Sequence, residues 1–169
     1  MISAALQQLY NEHDAILSAI DRLTTILATG DLALSEKDIR ELIDFFREYG
    51  DVFHHQKEEG LLFPTLSALN PGIESIIGSL SDHHEQFRDA LAMASENIER
   101  SHWTDAASIL HQYASDLADH ISAENDELFV SADELLSDDE KERLYFQFED
   151  RDRELGNERK RKLEASVLS

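Results

Sequence analysis

Residues 54–64 read HHQKEEGLLFP, and residues 120–129 read HISAENDELF. Both follow one template: a His, a Glu four residues on, then Leu and Phe four and five residues after that Glu. Residues four apart share a helix face, so each copy sets an imidazole and a carboxylate on one side of a helix, followed by an apolar turn. One copy alone would read as an ordinary surface pair. Two copies in one chain call for a common purpose.

Each copy lies on a helix that follows another helix carrying an acid-His pair, Glu12-His13 in LYNEHDAI and Asp82-His83 in LSDHHEQF. The single histidines run from 13 to 83 and the template histidines from 54 to 120, offsets of 70 and 66. The chain therefore reads as two helical hairpins of similar plan.

Gly, Pro and capping residues divide the rest. The first helix is expected from Ile2 to Ala28, with Leu6, Leu9, His13, Ile16, Ile20 and Leu23 on one stripe and Gly30 ending it. A second opens after Ser35, which can cap it with Asp38, and runs through Phe53 and Leu62 to Pro64, where the ring should kink or break it. Asn70-Pro71 opens a third, and Thr104 is placed to cap a fourth that reaches Phe129. Ser137 with Glu140 makes a capping box for a fifth, densely charged to about Leu163. No segment alternates as a strand would. The expected fold is all-α: an up-down-up-down antiparallel four-helix bundle over residues 1–136, with a C-terminal charged helix over 137–169 appended to the same domain.

Composition narrows the chemistry. The 169 residues contain no cysteine, which excludes thiolate metal sites, iron-sulfur clusters and thiol catalysis. A formal charge of −21 argues against nucleic acid or an anionic membrane as partner. The basic run Arg159-Lys160-Arg161-Lys162 reads as a solvated helix end. No basic leader precedes an apolar run at the N-terminus, so a cytoplasmic location is expected.

In an antiparallel bundle, inward positions at one depth converge. Here they are His13, His54, His83 and His120, with Glu58 and Glu124 one turn from their histidines. Burying such groups unpaired costs several kcal/mol per charge, roughly, which cations can offset and hydrocarbon cannot. Imidazole and carboxylate without sulfur suit iron, manganese or zinc rather than calcium or magnesium. Two metals fit better than one, because each hairpin offers two histidines and one carboxylate. If both carboxylates bridge, a bridging oxide or hydroxide still leaves one octahedral position open on each metal. His55 and His84 are expected to face a flanking helix or solvent, Glu59 to be solvated, and His102 and His111 to lie on the surface. Glu12 and Asp82 are candidates to orient ligand imidazoles.

At these residues the sequence resembles the hemerythrin-like, or HHE cation-binding, family of bacterial type, over roughly residues 5 to 135. The resemblance implies a di-iron bundle, with His13, His54, His83 and His120 as terminal ligands and Glu58 and Glu124 as bridging carboxylates. Two iron ions with a bridging oxo or hydroxo group are then expected, ahead of manganese or zinc. Oxygen carriers of the family have a further histidine one turn after the ligand of the third helix, where this chain has Phe87. The expected function is binding of, or reaction with, a small diatomic or peroxide ligand (dioxygen, nitric oxide or hydrogen peroxide), with a partner protein supplying electrons if the chain is an oxidoreductase. Iron-centre repair, iron storage and delivery, and a metal-dependent sensor or regulatory bundle are the alternatives.

Overall fold

The computed structural model describes residues 2–168, and among them no strand forms. Helix α1 (Ala4–Ala28) begins where the Ser3 hydroxyl accepts the Leu6 N–H at 3.4 Å. It ends before Gly30, whose φ of 76° lies in the left-handed region. The second helical run is unbroken from α2 (Glu36–Phe45) to α3 (Phe63–Leu69), but it changes winding on the way. Residues Phe46–His55 and Glu58–Leu62 are π-helical, closed by i→i+5 bonds.

The expected break at Pro64 does not occur. Pro64 lies in the first turn of α3, directly after a π segment, where the missing N–H interrupts no established i→i−4 ladder. Ser35 also departs from expectation: its side chain makes no cap bond to α2.

Asn70 ends that run, and its side chain caps the 3₁₀ turn Pro71–Ile73 by accepting the Gly72 N–H at 3.0 Å. Helix α4 (Glu74–Glu99) follows, then α5 (Trp103–Ala123), a third π segment (Glu124–Leu128) and α6 (Phe129–Leu135). Thr104 is inside α5 rather than at its cap, which falls at His102. The second and third π segments each start at the Glu of the repeated template and end at its Leu.

The single tail helix expected after Ser137 is two helices, α7 (Asp138–Leu155) and α8 (Asn157–Leu168). Gly156, at φ 110°, turns the chain between them. The capping box does form: Ser137 Oγ accepts the Glu140 N–H, and the Glu140 carboxylate accepts the Ser137 N–H at 2.8 Å. Both tail helices pack against α1.

The interior is a helical bundle whose apolar core is divided in two. One cluster contains Ile16, Leu23, Phe46, Phe53, Phe87, Leu91, Leu110 and Ile121. The other contains Leu6, Leu9, Leu62, Phe63, Leu80, Leu128, Phe129 and Phe148. Along each of the four long runs the change from one cluster to the other falls at a His or Glu that is buried. A polar layer thus crosses the bundle at one level. No described helix is long and apolar enough to cross a membrane.

Removing the reciprocal bonds of the α7 cap should be felt globally, because that helix carries the buried Leu144 and Phe148. Ser137→Ala is expected to lower unfolding free energy by about 1 kcal/mol in a denaturant titration, with unchanged helical content.

Candidate metal centre

Five imidazoles and two carboxylates meet in the polar layer. His13 and His54 gather with Glu58 and Glu124 in one group, and His55, His84 and His120 gather with Glu58 in a second. Within each group the ligand-type atoms lie within 4.8 Å of one another, and every member is buried.

Each carboxylate reaches into both groups. Glu58 Oε1 lies 3.3 Å from His54 Nε2, and its Oε2 lies 3.4 Å from His84 Nε2. Glu124 Oε2 lies 3.2 Å from His13 Nε2, and its Oε1 lies 3.1 Å from His120 Nε2. Short as these distances are, the angles are wrong for hydrogen bonds: His13 Nε2, His54 Nε2 and all four carboxylate oxygens are buried without a hydrogen-bond partner. They converge as lone pairs on a common centre, an arrangement that is costly unless a cation occupies it.

The far side of each imidazole explains why the lone pairs face inward. His54 Nδ1 lies 2.8 Å from Glu12 Oε2, His84 Nδ1 lies 2.7 Å from Glu59 Oε1, and His13 Nδ1 lies 2.7 Å from Asn125 Oδ1. These oxygens only accept, so Nδ1 carries the proton and Nε2 turns its lone pair inward, that of His84 lying 3.0 Å from His120 Nε2. The pattern repeats between the halves: Glu59 and Asn125 each directly follow a template Glu. His120 Nδ1 meets His83 Nδ1 at 3.3 Å instead of a carboxylate.

The structure gathers five of the six residues singled out from sequence, namely His13, His54, Glu58, His120 and Glu124. His83 belongs to neither group; it is partly exposed and backs His120, while its neighbour His84 takes the inward place. Regular winding decides this, because the buried stripe of α4 steps through Leu80, His84, Phe87 and Leu91 at intervals of four, three and four. His55, expected to point away, is also inside the layer. Its ring stacks on His84 with centroids 3.8 Å apart. It follows His54 in a π segment, where slower winding separates neighbours by less than the roughly 100° of an α-helix. Glu59 is not simply solvated, and Asp82 is exposed and orients nothing. His102 and His111 are exposed, as expected.

Arg88 ties the second group's supports together, donating to Glu59 Oε1 at 2.8 Å and to Asp51 Oδ1 at 2.9 Å. A cavity of about 240 Å³ opens beside this group, with His55, His84, Phe87, Arg88 and Tyr113 in its wall.

Behind His54 lies a second buried cluster that the sequence did not announce. Lys57, fully buried, places Nζ 2.5 Å from Glu12 Oε1 and 2.5 Å from Asp152 Oδ1. Lys160 places Nζ 2.5 Å from Glu12 Oε1 and 2.6 Å from Asp152 Oδ2. Lys160 therefore departs from the solvated helix end expected of its basic run. Its neighbour Arg159 forks onto the Glu48 carboxylate at 2.7 and 2.6 Å.

Electrostatics separates the carboxylates. Burial, reinforced by the charge on Glu124, pushes Glu58 up to about 8. Burial also raises Glu124 and Glu12, but other groups outweigh it. The nearby imidazole of His120 holds Glu124 below the usual range, with His13 adding to it. The His54 hydrogen bond and the charges of Lys57 and Lys160 do the same for Glu12. Burial and the adjoining His84 depress His55.

A family model, the hemerythrin HHE cation-binding domain, matches residues 4–132. No curated protein and no solved structure matches the chain.

In the metal-free fold Glu58 holds its proton up to about 8, against 4.5 in an unfolded chain. Between those values the folded state binds more protons, so this group's contribution is full below 4.5 and is lost as pH rises through about 8. Stability of metal-free protein, measured by denaturant titration from about pH 5 to about pH 8, should therefore decline with pH relative to Glu58→Gln, which cannot titrate.

Proposed function

Because the chain belongs to the hemerythrin HHE cation-binding family, we propose that its polar layer holds two iron ions and binds, or reacts with, a small diatomic or peroxide ligand. The observation that carries this reading is the way Glu58 and Glu124 each turn one oxygen to one imidazole pair and the other oxygen to the second pair. A carboxylate so placed is suited to span two cations, and a single ion would leave half of the converging lone pairs unmatched.

In this reading His13 and His54 would hold one metal and His84 and His120 the other, with Glu58 and Glu124 placed to serve both. His84 takes the place that the sequence resemblance gives to His83. His55 adds a fifth imidazole on the second side, so the two positions are unequal. The donor set of nitrogen and carboxylate oxygen fits iron, with manganese and zinc as weaker fits. Such a pair supplies open coordination positions and redox change to a small ligand. The four long helical runs form the up-down-up-down bundle that positions the donors, and the tail after Ser137 is appended to the same domain.

The protein's own groups do the remaining work. Glu12, Glu59 and Asn125 fix the imidazole tautomers and ring planes. The apolar clusters above and below exclude water from the layer. The cavity of about 240 Å³ beside His55 and His84 is large enough to hold a diatomic or peroxide next to the second group. Electrons, if the reaction turns over, come from a partner protein, since no flavin or sulfur-cluster motif is present.

Metal analysis, together with optical spectra of the reduced protein before and after dioxygen or nitric oxide, tests the proposal. Two irons per chain and a spectral response to nitric oxide are the expected results, and Glu58→Ala should lose at least one iron. One tightly held zinc, indifferent to substitution of either glutamate, would overturn it. Metal-loaded protein should also melt above metal-free protein, because only the folded chain assembles the donors.

A further inference from the structure

The two imidazoles at equivalent places in the two halves, His54 and His120, are supported differently. His120 Nδ1 meets the partly exposed ring of His83. His54 Nδ1 meets a carboxylate, Glu12, whose other oxygen is held by two lysines. One of those lysines and the acid that completes the cluster come from the tail: Asp152 on α7 and Lys160 on α8. Both lie beyond residues 4–132, so this support is an addition to the family domain.

We propose that Lys160 and Asp152 are positioning residues for the metal centre, acting on His54 through Glu12 and on one of the two metal positions only. The proposal rests on the di-iron reading above.

The physical argument is charge balance in a place that water cannot reach. Glu12 and Asp152 are nearly fully buried, and Lys57 is fully so. Two acids and two lysines form a neutral square, in which Lys57 and Lys160 each touch both acids. Lys160 bears on Glu12 Oε1, which leaves Oε2 to accept from His54 alone. How much negative charge Glu12 presents to His54 Nδ1, and hence how strongly Nε2 donates, depends on that cation. Losing Lys160 leaves the square with one uncompensated negative charge, raises the donor strength of His54 and stabilises the more oxidised metal. Losing the charge of Asp152 does the reverse. Gln8 Nε2 also donates to Asp152 Oδ2 at 2.8 Å, so Asp152 keeps its place when its charge changes.

Full-length Lys160→Met, loaded with iron, should keep two irons, shift the reduction potential to lower values and alter one of two Mössbauer signals while leaving the other unchanged. Asp152→Asn should shift the potential the opposite way, and it serves equally if Lys160→Met fails to fold. Glu48→Gln loosens the docking of the same helix through Arg159 without touching Glu12, and should move neither reading. Lys160→Arg should restore the unmodified potential. The proposal is overturned if Lys160→Met and Asp152→Asn shift the potential in the same direction or not at all, or if Glu48→Gln reproduces the effect, which would reduce the tail to packing. An unmodified protein that holds no iron pair would overturn the metal reading itself, and this inference with it.

Discussion

Six buried nitrogen and oxygen atoms facing one another, none with a hydrogen-bond partner, are the constraint on which this protein is organised. In water each would be solvated; here the imidazoles are held in place by bonds made on their far sides. Those outer bonds explain otherwise unrelated features. Arg88 reaches across to fix Glu59, Asn125 follows Glu124, and Lys57 is buried completely behind Glu12. The two apolar clusters supply the closure that keeps the layer dry, and the lone pairs in turn give that layer its affinity for cations.

The three π segments are the backbone's answer to the same constraint. Two of them begin at Glu58 and Glu124, and the third ends at His54 and His55. Regular α winding would send one member of a neighbouring pair outward. The slower turn lets two consecutive imidazoles enter one layer, and it lets Leu62 and Leu128 return to the core one turn after a carboxylate that faces the centre.

Most of the arrangement was legible because helical spacing is a strong signal. The repeated His-x-x-x-Glu found His54, Glu58, His120 and Glu124, and the stripe of α1 found His13. The acid-His pair that Asp82-His83 shares with Glu12-His13 points to His83. Yet Leu80, four before, and Phe87, three after, already marked His84 as inward. His55 was beyond reach of a regular-helix reading, since nothing in the residues announces a π turn. Lys57, Asp152 and Lys160 were hidden for another reason. In a chain this acidic, charges in a charged run read as surface, and only the turn at Gly156 brings the last helix back onto α1.

The polar layer also sets how the molecule comes apart. It separates two apolar clusters that touch few of the same side chains, so hydrophobic contact alone gives each end of the bundle its own local stability. Cations held across the layer, as proposed, would join the four helical runs at their midpoints and tie the two ends into one cooperative unit. Without them, two apolar clusters on continuous helices would be expected to open to hydrogen exchange at separate free energies. A centre so placed would be a clasp for folding cooperativity, its occupancy written into how the backbone amides exchange.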